Sequence, residues 1–165
     1  MKILFASPEV APFIKTGGLA DVAGSLPPAL AELGHDVRVI LPLYEQIGEE
    51  WRSQMTFVKY YYVRLAWRSI YCGLFQLERN GVTYYFVDNE SYFKRQGIYG
   101  HFDDAERFAY FSRAVIETPG QIDFKPDIIH CNDWQTALVP IYLLEERYRQ
   151  NALSRSKSVF TIHNI

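Results

Sequence analysis

Cysteine is scarce. Only Cys72 and Cys131 occur among 165 residues, with no CxxC spacing, which excludes a zinc knuckle and a disulfide-rich scaffold. One Cys72–Cys131 bridge stays open, though two reduced thiols of a cytosolic protein are the simpler reading. An excess of one charge is also lacking. Seventeen Lys and Arg stand against nineteen Asp and Glu, a net charge of −2, so nothing here draws a nucleic-acid backbone or an anionic membrane. Long apolar runs are missing. The opening Lys2–Ala6 stretch is cut off by Pro8, Glu9 and Pro12, too early for a signal peptide, and no other stretch approaches the roughly 20 apolar residues of a membrane span. Neither GxGxxG nor GxxxxGK[ST] occurs, so dinucleotide and P-loop readings have no motif behind them. Asn89-Glu90-Ser91 fits a glycosylation sequon that, without a secretory signal, reads as a chance match.

What is present is apolar and aromatic. Hydrophobic residues make up 48% of the chain and aromatic ones 16%, a balance that packs into one ordinary domain and argues against disorder. Lys2–Ser7 reads as a buried strand and Pro8–Thr16 as a loop. From Leu19 to Leu33 the apolar residues recur at spacings of three and four, a helix that Gly34 stops and that Pro27-Pro28 should kink or split. Asp36–Leu41 is a second strand, which makes the opening βαβ with a parallel sheet. Thr56–Trp67, Arg68–Leu77 and Val82–Val87 are rich in Tyr, Val, Phe and Ile and read as strands, with Asn80-Gly81 a hairpin turn and an antiparallel pair in view. A helix over Asp103–Thr118, ended by Pro119-Gly120, leads to a strand at Asp127–Cys131, a helix at Trp134–Tyr148 and a strand at Ser158–Ile162. The fold class is therefore α/β, doubly wound and Rossmann-like, with a mostly parallel sheet. No helix closes the pattern after His163-Asn164-Ile165, where a further crossover is expected.

Three polar clusters fall just past the C-terminal ends of the predicted parallel strands, the edge along which open α/β sheets bind ligands. Gly17-Gly18 precedes the first helix, so bare backbone and unpaired N–H groups can meet an anion, with Lys15 adding a point charge. Taken alone, a Gly-Gly pair is more often a plain turn. Asp133 follows the strand ending at Cys131; it would cap the helix beginning at Trp134 or accept hydroxyl hydrogens of a polar ligand. His163 follows the last strand and emerges beside the other two. His130 and Cys131 point to opposite faces of their strand and cannot easily chelate one metal, so His130 reads as structural. The stripe Tyr60-Tyr61-Tyr62, Trp67 and Tyr84-Tyr85 could stack on sugar rings, but strand-spaced aromatics more often belong to the core.

Together these residues resemble a family. Lys15-Thr16-Gly17-Gly18-Leu19-Ala20-Asp21-Val22, His130-Cys131-Asn132-Asp133-Trp134 and Thr161-Ile162-His163-Asn164-Ile165, in this order, look like bacterial glycogen synthases and plant starch synthases. Lys2–Glu9 and Gly34–Val39 are similar too, so the likeness runs from end to end. It implies the N-terminal, acceptor-side half of a GT-B type, retaining glucosyltransferase that moves glucose from ADP-glucose to the non-reducing end of an α-1,4-glucan. By the same likeness, Lys15, Gly17 and Gly18 lie against the donor's diphosphate and glucose, His163 contacts the transferred glucose, and Asp133 lies near the glucose and the acceptor. Tyr99 and Asn164 border the cleft.

The family's second domain carries the arginine and lysine that neutralise the leaving diphosphate and an essential glutamate; none of these falls within residues 1–165, so the chain alone is expected to be inactive. No metal or other cofactor is expected, ADP-glucose being a co-substrate. The expected partners are ADP-glucose, an α-1,4-glucan and the missing C-terminal domain, with no nucleic acid, no membrane and self-association of the isolated chain. Location is expected to be cytoplasmic, or plastid in a plant. The residues alone leave open a non-catalytic carbohydrate-binding or regulatory α/β module.

Overall fold

A computed structural model describes residues 1–164. Its elements run β1 Lys2–Ala6, α1 Gly18–Glu32, β2 Asp36–Pro42, α2 Glu49–Arg52, β3 Thr56–Leu65, β4 Arg68–Arg79 and β5 Val82–Asp88. Then follow α3 Glu90–Phe93, α4 Asp104–Gln121, β6 Ile128–Asn132, α5 Val139–Glu146 and β7 Lys157–Thr161. The strands form one seven-stranded sheet in the order β3-β4-β5-β2-β1-β6-β7. β1 pairs in parallel with β2 and β6, β2 with β5, and β6 with β7, while β4 pairs antiparallel with both β3 and β5. The aromatic middle of the chain thus extends a parallel sheet by an antiparallel hairpin. β1 sits near the centre, and Leu4, Phe5 and Ala6 are fully buried because both its faces are covered. Cys72 and Cys131 are both buried and unbridged.

Helices lie on both faces of the sheet. Tyr61 on β3 reaches α4, its hydroxyl 2.6 Å from that of Thr118. Phe13, in the loop before α1, packs on the other face against Tyr84 and Phe86, its ring edge-on to both, and against Trp51. Among the described residues no helix is long and apolar enough to cross a membrane.

Four expectations are corrected. Pro27 and Pro28 do not split α1, which runs unbroken from Gly18 to Glu32. The missing N–H groups cost two backbone bonds, but Pro27 is itself buried with Leu19, Ala20 and Ala23, and that packed face holds the helix together. Pro119 does not end α4, which continues to Gln121; it occupies the last turn, and its own carbonyl accepts Phe124 N–H at 2.9 Å. The helix expected over Trp134–Tyr148 is a 3-10 turn, Trp134–Thr136, followed by the shorter α5, which has Pro in its first turn. The tyrosine stripe is divided by strand alternation: Tyr61, Tyr84 and Tyr85 are core, whereas Tyr60, Tyr62 and Trp67 face solvent. The sequon is also explained. Asn89 is buried, caps α3 by accepting Tyr92 N–H, and donates to Tyr71 O.

Candidate functional site

The C-terminal ends of β1, β6 and β7 define one rim of the sheet, and the three polar clusters meet there. At β1, Glu9 is buried, and its carboxylate gathers the loop that follows. It accepts Thr16 N–H at 2.6 Å, the Thr16 hydroxyl at 2.9 Å and Gly17 N–H at 3.3 Å. These bonds deliver Gly17 to the start of α1 as its N-cap, with Glu9 on the Gly17 N–H and no capping side chain of Gly17's own on the N–H groups that follow. Neither glycine is needed by the fold. A Cβ built at Gly17 or Gly18 meets nothing within 4 Å, and neither residue takes a left-handed conformation. The first turn of α1 beyond Gly17 therefore has open space over its N–H groups. Lys15 stands beside it, exposed and paired with Asp21 at 2.7 Å.

At the ends of β6 and β7, Asp133 has φ 58° and ψ 176°, a region that non-glycine residues occupy only under constraint. The constraint is visible. Asp133 N–H donates to Thr161 O at 2.9 Å, and its carboxylate accepts His163 N–H at 2.5 Å, Asn164 N–H at 3.2 Å and the Asn164 amide at 2.6 Å. It caps no helix, so its ligands are the strand-end segment that carries His163. Asn132 fixes the imidazole. Its amide donates to Ala6 O at 3.0 Å, which turns Oδ1 toward His163 Nε2 at 2.9 Å. His163 therefore carries its proton on Nε2, and Nδ1 has no partner among the described residues. His130, as expected, is structural: its Nε2 lies 2.8 Å from the Thr161 hydroxyl and its ring packs edge-on against Phe5. Burial, then the neighbouring His163, holds its pKa below the ordinary histidine value.

Tyr99 joins the two halves of the rim. It sits between Gly97 at φ 78° and Gly100 at φ 87°, turns that need glycine. Arg107, fully buried on α4, anchors that loop through Tyr92 O at 2.7 Å, Ile98 O at 3.1 Å and Asp104 at 2.7 Å. The Tyr99 hydroxyl donates to Glu9 at 3.3 Å, and its ring continues through Phe108 to the half-exposed Trp134. Burial, then the Glu9 carboxylate, pushes the Tyr99 pKa well up, so the phenol stays a donor.

The structure thus brings Lys15, Gly17, Gly18, Tyr99, Asp133, His163 and Asn164 to one rim. Sequence reasoning missed Glu9 and Asn132, whose acceptors and donors come from distant segments, and Arg107, whose buried charge in an amphipathic helix was the available signal. The rim is an open shelf. A concavity of about 590 Å³ lies instead at the opposite end of β1, lined by Met1, Lys2, Asp36, Asp127 and Arg155. Ligands of open α/β sheets bind at the carboxyl ends of strands, and the polar clusters are there, so the shelf is the candidate site. Among the described residues no group of His, Cys, Asp or Glu is gathered closely enough to hold a metal ion.

Known proteins share this sequence pattern and this fold. The starch synthase catalytic domain family matches residues 2–165. A glycogen synthase of Anoxybacillus flavithermus is 54% identical over 165 residues, covering 100% of this chain and 34% of that protein. One from Geobacillus stearothermophilus is 55% identical over 166 residues, again covering 100% of this chain and 34% of the relative. The solved catalytic domain of starch synthase IV from Arabidopsis thaliana, bound to ADP and acarbose, superposes with a TM-score of 0.86 at 34% identity. That match covers 99% of this chain and 34% of that one. The chain thus spans about a third of the length of the relatives it matches, and its sheet corresponds to one half of a GT-B glycosyltransferase. This chain belongs to the starch synthase catalytic domain family.

Proposed function

We propose that the chain is the N-terminal, acceptor-side Rossmann-like domain of a retaining glucosyltransferase that moves glucose from ADP-glucose to the non-reducing end of an α-1,4-glucan in the cytoplasm. One observation carries the reading: two glycines open the first helix where neither packing nor backbone conformation asks for them. Room reserved over a bare helix start suits a diphosphate, with Lys15 at its side. The glycogen synthase relatives and the ADP bound to the Arabidopsis enzyme support the same choice.

The residues divide the work. The helix end steadies an anion by only about 0.3–2 kcal/mol, so this domain orients the donor, and a second domain supplies the cations that neutralise the leaving diphosphate. Asp133 is buried and its carboxylate is already engaged by three donors, which makes it a positioning group rather than an attacking nucleophile. Neither Glu9 nor Asp133, the buried carboxylates of the rim, is free to form a glycosyl-enzyme bond, which supports retention by a front-face path, in which the departing diphosphate oxygen takes the acceptor hydroxyl's proton. His163 Nδ1 and the Tyr99 hydroxyl oxygen, whose proton is committed to Glu9, both offer acceptor lone pairs to the sugar's hydroxyls.

The test is transfer of labelled glucose from ADP-glucose to glycogen. A complete enzyme containing this chain elongates glycogen, the 165-residue chain alone does not, and Gly18→Val in the complete enzyme lowers turnover about 10²- to 10³-fold. Elongation by the isolated chain, or near-normal turnover of the Gly18→Val enzyme, would refute the assignment.

A further inference from the structure

Asn132, the last residue of β6, is fully buried, and its side chain spans three strands. Its amide nitrogen lies 3.0 Å from Ala6 O on β1 and 3.4 Å from His130 O on its own strand. Both neighbours are carbonyls, which only accept, so the NH₂ end must face them and Oδ1 must face His163, just past β7. There Oδ1 takes the His163 Nε2–H at 2.9 Å. The main chain of Asn132 is held as well: its carbonyl accepts the Thr136 hydroxyl at 2.9 Å, and Thr161 is its register partner on β7. Asp133 fixes the base of the imidazole by accepting the His163 N–H. A half-turn of the ring would put Cε1 against Oδ1 and lose the bond. One tautomer in one orientation results, with a lone pair on Nδ1.

The groups around that lone pair share its polarity. The Asp133 carboxylate holds the same segment. Across the rim the Tyr99 hydroxyl gives its proton to Glu9, so its oxygen too is left as an acceptor. Burial, then Glu9 and after it Asp133 raise the Tyr99 pKa, so the fields of both carboxylates reach one phenol. Among the described rim residues Lys15 is the one cation, and it is paired with Asp21 at the start of α1. Arg107 is buried and committed to Asp104 and two backbone carbonyls. His130 supplies no charge either, since burial and then His163 hold its pKa below the ordinary value. The sugar side of the rim accepts hydrogens and offers no positive charge.

We infer that Asn132 is a positioning residue that sets donor specificity: by holding His163 as the Nε2–H tautomer, it restricts the transferred group to a neutral, hydroxyl-bearing sugar and rejects one that carries a carboxylate. The inference rests on the proposed function for the placement of the sugar beside His163. A hydroxyl can donate to Nδ1 and to the Tyr99 oxygen. A carboxylate has no hydrogen to give and meets lone pairs and like charge, which discriminates against it without any steric barrier. The choice is made at position 132. With an apolar residue there, Nε2–H would be buried without an acceptor, and the proton would move to Nδ1, which has the open side of the rim before it. The same ring would then donate, and the sugar acid would be tolerated.

The experiment has two arms. The first reads the tautomer in the 165-residue chain with nitrogen-15-labelled histidine at pH 8, above the range in which an imidazole ordinarily takes a second proton. His163 shows an unprotonated Nδ1 and a protonated Nε2, and Asn132→Leu moves most of that proton to Nδ1. The second arm compares kcat/KM for ADP-glucose and ADP-glucuronic acid in a complete enzyme containing this chain. The parent prefers ADP-glucose by about 10²-fold or more, and Asn132→Leu lowers that preference by about tenfold or more. Thr136→Val, which frees the Asn132 carbonyl without touching its amide, leaves the preference unchanged. A parent whose Nδ1 carries the proton, a parent that uses both donors alike, or a preference that Asn132→Leu leaves intact or that both variants lower equally overturns the inference. Should Asn132→Leu fail to fold, the tautomer and the preference of the parent decide. A complete enzyme that transfers no glucose refutes the proposed function instead, and the tautomer in the isolated chain is read independently of that result.

Discussion

Asp133 accepts the backbone N–H of His163 at 2.5 Å across thirty residues of sequence, and it does so from a backbone conformation that favours glycine. The strain and the carboxylate act in opposite directions, so substitutions separate them. Asp133→Ala keeps the strain and loses the carboxylate; Asp133→Gly loses both. The glycine variant should be the more stable of the two by about 1–3 kcal/mol, seen as a melting temperature several degrees higher. Both should lose hydrogen-exchange protection at the His163 amide, and a complete enzyme carrying either should lose most of its transfer activity. Retained protection in either variant would mean that the carboxylate does not hold the strand end.

Glu9 supports a second prediction. Its carboxylate collects Thr16, Gly17 and Tyr99, so removing its charge should loosen the donor loop without touching the reacting atoms. Glu9→Gln keeps the shape but places an amide where two N–H groups and two hydroxyls converge. In the complete enzyme the KM for ADP-glucose should rise about tenfold or more, with kcat falling less, because hydrogen bonds to a charged acceptor contribute about 1.5–3 kcal/mol each. A fall in kcat at unchanged KM would place Glu9 in the chemical step instead.

Gly17 and Gly18 allow stability and binding to be told apart. Because neither position has a neighbour within 4 Å or a positive φ, Gly17→Ala should leave the melting temperature within about 2 °C of the parent. ADP-glucose binding by the complete enzyme should nevertheless weaken sharply, since the methyl group occupies the space over the helix start. Isothermal titration gives the answer. A variant that melts early and binds normally would make these glycines ordinary turn residues.

How much of this was legible follows the range of each interaction. The βαβ opening, the strands and the three polar clusters could be read because period, turn residues and motifs are local. The prolines misled because local rules set the cost of Pro27 but burial against the sheet decides the outcome. The β3–β4 turn gave no signal, since Ala66 rather than Gly or Asn takes φ 55° there. Trp134–Tyr148 read as one helix because nothing in its sequence announces that Asp133 is turned back to hold His163. Glu9 was invisible for a related reason: one of its partners, Tyr99, is ninety residues away.

The two thiols predict an alkaline weakness. Burial pushes the pKa of Cys72 from an ordinary 9.0 to about 11 and that of Cys131 to about 12. The fold therefore favours the neutral thiols. Their contribution to stability is fully present below about pH 9 and is lost as pH rises from there toward about 11 for Cys72 and about 12 for Cys131. Burial also raises Tyr61 and Tyr110, which steepens the same decline. The melting temperature should be flat from pH 7.5 to 8.5 and fall above pH 9, less so in Cys72→Ala/Cys131→Ala. Both thiols should resist a thiol reagent at pH 8 until the chain is unfolded. Rapid labelling of the native protein would contradict their burial.

β7 is an exposed edge of the sheet. It is the last strand of the sheet, and Val159, Phe160 and Ile162 are 45%, 40% and 64% exposed beside it and on it. An unpaired, apolar edge is a template for another chain, so the isolated protein should self-associate reversibly, with a sedimentation coefficient that rises with concentration. A lysine at Val159 places a charge on that surface and should shift the protein toward monomer without lowering its melting temperature, because the side chain it replaces is already half in water. If the lysine variant sediments as the parent does, the association uses a different surface, and the β7 edge is shielded in solution.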